Sequence, residues 1–237
     1  MANMLVDKND YLTAGVHIGM KTCMPCMKRF VYKIRDDGLA VFNLAMVNDR
    51  IKVASSFLSG FGRILVVSRK ENAGQAIRKF AEAVEGRAIA GRFSPGTLTN
   101  PSYKGFYEPE VIVVVDPLID EQAIKEAKKK RIPVVALCDT FNTVKDVDLS
   151  IPVNNNGKKS LGLIFWIMAR EILKERGKVK RTADFKYSLT DFGGEEAKEA
   201  GEAKEAPSAS DIIEGVVEEM EKAAKKSLKR EAEAKPG

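Results

Sequence analysis

Residues Val111 to Val115 are apolar and β-branched at every position. A strand with one face in water alternates polar and apolar residues, so a run with no polar position has to be covered on both faces. Short apolar runs of the same kind recur at Ala40–Leu44, Ile64–Val67, Ala88–Ala90, Val134–Leu137 and Leu149–Ile151. Between them lie helical patterns at Asn48–Phe61, Asn72–Val84, Asp120–Lys130 and Leu161–Arg176. Asn48, Asn72, Asp120 and Ser160 offer side-chain oxygens as N-caps for these helices. Alternating strands and helices predict a three-layer α/β/α domain, Rossmann-like or flavodoxin-like, with a mostly parallel sheet and right-handed crossovers.

The pattern ends near Thr190. Of the 237 residues, 1–190 carry 31 basic and 20 acidic side chains, and 191–237 carry 8 and 13, so a body of +11 precedes a tail of −5. The expected organisation is an α/β domain over 1–190 with a basic N-terminal segment, then a flexible acidic tail over 191–237. A short amphipathic helix at 211–230 is suggested by the spacing of Ile212, Val216 and Met220. The longest apolar run, Leu161 to Ala169, is about half of what a bilayer needs, and Met1 to Asp10 lacks a signal-peptide pattern. Three cysteines do not make a disulfide framework, which points to a reducing, cytosolic setting.

A body of +11 sets up a field that attracts polyanions. Lys21, Lys28, Arg29, Lys33 and Arg35 lie in one short segment, Lys158 and Lys159 share an Asn-rich turn, and basic residues alternate from Lys174 to Arg181. Neutralising phosphates needs charge near a backbone rather than a catalytic geometry, and such clusters supply it. The run Lys128 to Arg131 reads instead as the solvated face of a helix. Phe30 and Tyr32, interleaved with the first cluster, are suited either to stacking on unpaired bases or to packing on the domain.

Enzymes on doubly wound sheets place their chemistry beyond the carboxyl ends of the strands, where Asp116 and Asp139 stand here. The rival reading is therefore an enzyme for a phosphorylated or nucleotide substrate. No G-x-G-x-x-G follows any strand, however, and Asn156-Gly157-Lys158-Lys159-Ser160 lacks the order of a P-loop. Pro117 and Thr140 after the two aspartates favour turn formation. His17, the only histidine, sits between Gly15 and Gly19 in what reads as a tight structural loop. Cys23-Met24-Pro25-Cys26 leaves three options open: unbonded thiols, a metal site with His17 and an unseen ligand, or a redox pair, though no strand precedes it as in thioredoxin-type sites.

The loop Gly91-Arg92-Phe93-Ser94-Pro95-Gly96-Thr97-Leu98-Thr99-Asn100 combines one cation with many hydroxyl and amide groups, suited to hydrogen bonding with an RNA or protein. As a string it resembles the G-R-F-x-P-G-T-x-T-N loop of the universal small-subunit ribosomal protein two family. Tyr11 to Gly19, Glu108-Pro109-Glu110 with Val111 to Pro117, and Ile132 to Thr140 resemble further motifs of that family. So do Asp148 through Asn155 to Ser160, and Trp166 with Ala169-Arg170-Glu171, which extends the resemblance over roughly residues 8–176. With no room for the helical insertion of bacterial members, the chain resembles the archaeal type, and Cys23 to Cys26 departs from the family pattern.

The resemblance implies a structural, non-catalytic constituent of the small ribosomal subunit, acting in its assembly and in translation. The implied partners are small-subunit rRNA and neighbouring ribosomal proteins. No membrane, small-molecule substrate, cofactor, metal or homo-oligomer is expected, and the location is the cytoplasmic ribosome. Lys21, Lys28, Arg29, Lys33, Arg35, Arg92, Thr97, Asn100, Lys158 and Lys159 are the expected RNA-binding residues.

Overall fold

In the computed structural model, residues 4–181 and 184–194 are described. The proposed tail helix at 211–230 lies outside them. Five strands, β3 (Ile64–Ser68), β4 (Arg87–Ala90), β5 (Val111–Val114), β6 (Val134–Cys138) and β7 (Leu149–Pro152), form one sheet in the order β4-β3-β5-β6-β7. Every neighbouring pair is parallel. All residues of β3, β5 and β6 are buried, as their uninterrupted apolar sequences require.

Helices α2 (Leu44–Ser59), α3 (Gly74–Val84) and α5 (Lys158–Glu175) pack together. α4 (Glu121–Lys130) packs against β5. From the β3/β5 pair the chain winds one way to β4 through α3 and the other way to β6 through α4, and right-handed connections in opposite directions place those helices on opposite faces. The loop from Gly91 to Glu110 and the ten residues between β6 and β7 complete the crossovers without a helix of their own. α5 lies against both α2 and α3, so twelve of its eighteen residues are buried. Among the described residues no helix is long and apolar enough to cross a membrane.

The predicted strand at Ala40–Leu44 departs from the parallel sheet. Ala40–Phe42 (β2) pairs antiparallel with Val31–Ile34 (β1), in a separate hairpin. Asp36-Asp37-Gly38 makes the return tight: Gly38 adopts φ +84° and Asp37 Oδ1 accepts the Leu39 N–H at 3.1 Å. β1 carries Lys33 of the basic segment, and three of its four residues are exposed, so no apolar alternation marks it as a strand.

The helix starts also differ from the sequence reading. α2 begins four residues earlier, capped by Asn43, whose Oδ1 accepts the Ala45 N–H at 3.1 Å. Asn48 is instead buried within α2, where its Oδ1 accepts the Leu5 N–H and the Tyr11 hydroxyl. Asn72 lies in a 3₁₀ turn and donates to the Asn156 carbonyl. Asp120 precedes α4 but accepts the N–H of Arg69 rather than one of the helix. The Ser160 hydroxyl donates to the Asn154 carbonyl from inside the first turn of α5. In each case a tertiary partner outcompetes the local cap.

Residues 184–194 fold back along α5. Trp166 meets Phe185 edge to face, Tyr187 links Phe185 to Phe192, and Trp166 Nε1 donates to the Tyr187 carbonyl at 3.0 Å. The backbone comes so close that a Cβ on Gly162 would stand 2.7 Å from Gly194 N and 3.0 Å from Phe192 O. Gly162→Ala is expected to cost about 1–3 kcal/mol, as overpacking does. Urea denaturation of the variant beside the natural chain measures it.

Candidate nucleic-acid interface at the carboxyl edge

The strand order reverses between β3 and β5, so the carboxyl ends of these strands frame the crevice where doubly wound proteins bind nucleotides. Lys70 follows β3 and Asp116 follows β5, and they form an ion pair of 2.8 Å. Lys70 Nζ also donates to Asn155 O at 3.1 Å, Asn155 Oδ1 at 2.9 Å and Asn156 Oδ1 at 2.6 Å. The other Asp116 oxygen accepts from Asn142 Nδ2 and from the Leu118 N–H. Asn155 Nδ2 in turn donates to the carbonyls of Val115 and Leu137 and to Asn142 Oδ1. Charge-assisted bonds of this kind are the strong ones, and here they link the ends of four strands.

Both aspartates that an enzyme would use are committed inward. Asp116 is buried and forms the Asx turn expected from Pro117. Asp139 accepts the Thr140 N–H at 2.6 Å and Asn156 Nδ2 at 3.2 Å, and burial raises its carboxyl above the ordinary range. Asp120 stands apart from them: burial pushes its carboxyl up to about 7, and Oδ2 has no hydrogen-bond partner among the described residues.

The basic N-terminal segment is fastened to this edge through Thr140. Its hydroxyl accepts the Met20 N–H at 2.9 Å and donates to the Met20 carbonyl at 3.2 Å, while its own carbonyl accepts the Met24 N–H at 2.8 Å. Gly19 makes the approach possible, because a Cβ there would meet the Thr140 methyl at 2.5 Å. Lys21, Lys28, Arg29, Lys33 and Arg35 are all exposed on the segment so held. Phe30 is buried, with the guanidinium groups of Arg29 and Arg50 4.7 and 5.4 Å from its ring centre, whereas Tyr32 stands out at 72% exposure.

Arg92 follows β4 at the same edge and is exposed. The loop it begins is shaped by α4: Glu126, 3% exposed, accepts the N–H groups of Gly96 at 2.8 Å and Leu98 at 3.1 Å. Thr97 is buried in this loop, with its hydroxyl donating to the Ser94 carbonyl, and exposed Asn100 accepts the Ser102 N–H. Lys158 and Lys159 open α5 just beyond β7 and are exposed. The carboxyl ends of β4 and β7 thus bring Arg92 and Lys158–Lys159 to the edge to which Thr140 fastens the N-terminal segment.

Exposed cations without an ion pair to a described residue lie at this edge and also elsewhere, as at Lys129, Lys130 and Arg131. Lys21, Lys28, Lys33, Arg92 and Lys158 make no ion pair with a described residue, and Arg35 meets Asp37 at 3.5 Å in an exposed pair worth little. Lys128, at the far end of α4, is instead held by Asp146 at 2.6 Å, and Lys178 beyond α5 is held by Glu85.

Cys23 and Cys26 are half-buried and lie in turns between the Ile18–Val41 bridge and the 3₁₀ turn Lys28–Phe30. Burial pushes the Cys23 thiol up, the reverse of the lowered thiols of thioredoxin-type sites. Cys26 Sγ donates to the Asn142 carbonyl at 3.7 Å, and Cys138 is buried in β6. No three His, Cys, Asp or Glu side chains among the described residues converge as metal ligands, and His17 faces a groove beside Tyr32 and Lys33. Gly15 at φ +69° turns the chain ahead of it, as the sequence suggested.

Fold and crevice together define a doubly wound α/β domain whose nucleotide position is filled from within. The model of a family described as Ribosomal protein S2 matches residues 11–104 and 103–175. The chain is 47% identical over 191 residues to the small ribosomal subunit protein uS2 of Thermoplasma acidophilum, covering 80% of this chain and 96% of that one. It is 44% identical over 196 residues to the protein of the same name in Haloquadratum walsbyi, covering 82% and 68%. The chain belongs to the ribosomal protein S2 family and is of the archaeal type, as the ordered motifs indicated.

Sequence reasoning did not single out Lys70, Asn142, Asn155 or Glu126. The run Asn154-Asn155-Asn156 directly after a strand was the available signal for the first three. Glu126 was masked by the lysines around it.

Two outcomes are expected. Because the Asp120 carboxyl lies near 3.8 when unfolded and near 7 when folded, the native state holds its proton more tightly, and stability falls as pH rises from about 4 to about 7. Asp120→Asn removes that loss, so its stability relative to the natural chain should rise across this window by up to ~1.4 kcal/mol per pH unit, measured by urea denaturation at a series of pH values. Glu126→Ala should free the loop, raising the hydrogen-exchange rates of the Gly96 and Leu98 amides and costing roughly 1–3 kcal/mol.

Proposed function

We propose that this chain is a structural, non-catalytic constituent of the small ribosomal subunit that binds rRNA through the carboxyl edge of its sheet. The observation that carries the reading is that Lys21, Lys28, Arg92 and Lys158, exposed and without an ion-pair partner among the described residues, gather at the edge of a crevice closed by the protein's own side chains. With Lys70, Asp116 and the asparagines filling the crevice between β3 and β5, the exposed cations around it suit a backbone of phosphates. Family membership supplies the ribosomal setting, since both relatives are named as small-subunit proteins.

Lys21, Lys28, Arg29, Arg35, Arg92, Lys158 and Lys159 neutralise phosphates. Asn100 adds a polar contact at the exposed end of its loop, and buried Thr97 acts by holding the loop in shape. Lys33 faces the groove treated below. Such contacts carry little base readout, in keeping with the shape-based recognition of structured RNA. Residues 1–190 form the RNA-binding body and 191–237 an acidic extension. The protein works in the cytoplasm, alongside neighbouring subunit proteins, in assembly and translation.

The test is sedimentation of a cell extract through sucrose at moderate and then high salt. Comigration with the small subunit at moderate salt that weakens at high salt is expected; a protein found only at the top of both gradients overturns the reading. With purified rRNA, Arg92→Ala and Lys28→Ala should each reduce the log–log salt slope of binding by about 1. Thermal stabilisation by nucleotides or sugar phosphates, with no rRNA binding, would favour the enzyme reading built on Asp116 and Asp139.

A further inference from the structure

A groove of about 470 Å³ opens between α1 (Lys8–Thr13), the β1–β2 hairpin and the first turn of α2. Leu12, Tyr32, Val41 and Leu44 give it an apolar surface. A bulge in β1 between Val31 and Lys33 leaves Tyr32 as the extra residue, and bulges of this kind re-aim a side chain. Tyr32 at 72% and Leu12 at 41% exposure bring large apolar groups to the surface of this groove. Contiguous apolar surface on a globular domain marks a site of protein contact more often than one of phosphate contact.

The charge of the groove identifies the partner further. Lys8 and Lys33 are the charged residues that line it, neither is ion-paired with a described residue, and no carboxylate lines it. His17 Nδ1 is buried there without a hydrogen-bond partner among the described residues. An apolar floor with a few placed polar groups is the usual make-up of a site that seats an anchoring side chain.

We propose that this groove seats an acidic segment of a neighbouring small-subunit protein, with an apolar side chain against Leu12, Tyr32 and Leu44 and carboxylates against Lys8 and Lys33. The inference rests on the ribosomal reading above and names the surface and chemistry of one protein contact within it. Lys33 thereby serves a protein partner, while the cations of the carboxyl edge serve RNA.

Photocrosslinking in assembled subunits tests this. Tyr32→p-benzoylphenylalanine is introduced, small subunits are purified by gradient, and irradiated products are mapped by mass spectrometry; the same substitution at Leu12, which also lines the groove, reads the same surface if the first variant fails to assemble. The expected product joins Tyr32 or Leu12 to a protein segment rich in Asp and Glu, and Lys8→Glu with Lys33→Glu lowers its yield several-fold while comigration is retained. A crosslink to rRNA, a crosslink to a basic segment, or no crosslink from a comigrating variant overturns the proposal but leaves the ribosomal reading standing. Failure of the natural chain to comigrate overturns both.

Discussion

The buried pairing of Lys70 with Asp116 governs the rest of this structure. A charge taken out of water must be matched, and removing one partner of a buried pair typically costs about 3–5 kcal/mol because the other is left uncompensated. Here the match is made by residues after β3 and β5 and is completed by Asn142 after β6 and by Asn155 and Asn156 after β7. One polar knot therefore sets the relative heights of four strand ends. Asn155 also takes the carbonyls of Val115, just past β5, and Leu137, next to last in β6, groups that the open end of a parallel sheet leaves to water or ligand. The fold that elsewhere holds a nucleotide at this position holds its own side chains instead.

From that knot outward, the functional surface follows. Thr140 is fixed by Asp139, and Met20 is fixed by Thr140, so the cationic segment takes its position from the sheet. Arg92 takes its position from β4 on one flank, and Lys158 and Lys159 from β7 on the other. Charges collected by topology rather than by sequence proximity make a broad footprint, which suits a polyanion with charge along its whole length.

The parts of this architecture that were legible in the sequence are those governed by burial alone. The run Val111 to Val115 announces a covered central strand because no alternative structure hides five β-branched residues, and the all-apolar runs at β3 and β6 do the same. The hairpin strand at Val31–Ile34 was illegible because three of its four residues are exposed and its core contact is made by neighbours. Helix starts were misread wherever a polar residue had two possible partners: Asn48 looks like a cap from its surroundings in sequence, but Leu5 and Tyr11, 43 and 37 residues away, claim its oxygen. The cation clusters were visible; their gathering at one edge was not, because it depends on strand order. Lys70, the centre of the crevice, carries no local signature, since a lysine after a strand is ordinary until an aspartate two strands on is known to face it.

The junction between Met20 and Thr140 also orders events in time. These residues are separated by 120 positions, so the segment bearing Lys21, Lys28 and Arg29 has no seat until the chain through β6 has been made and folded. Asn155, which braces Asn142 beside that seat, arrives later still. During synthesis these cations thus leave the exit tunnel well before their seat exists, and the cationic edge is completed only as the domain closes.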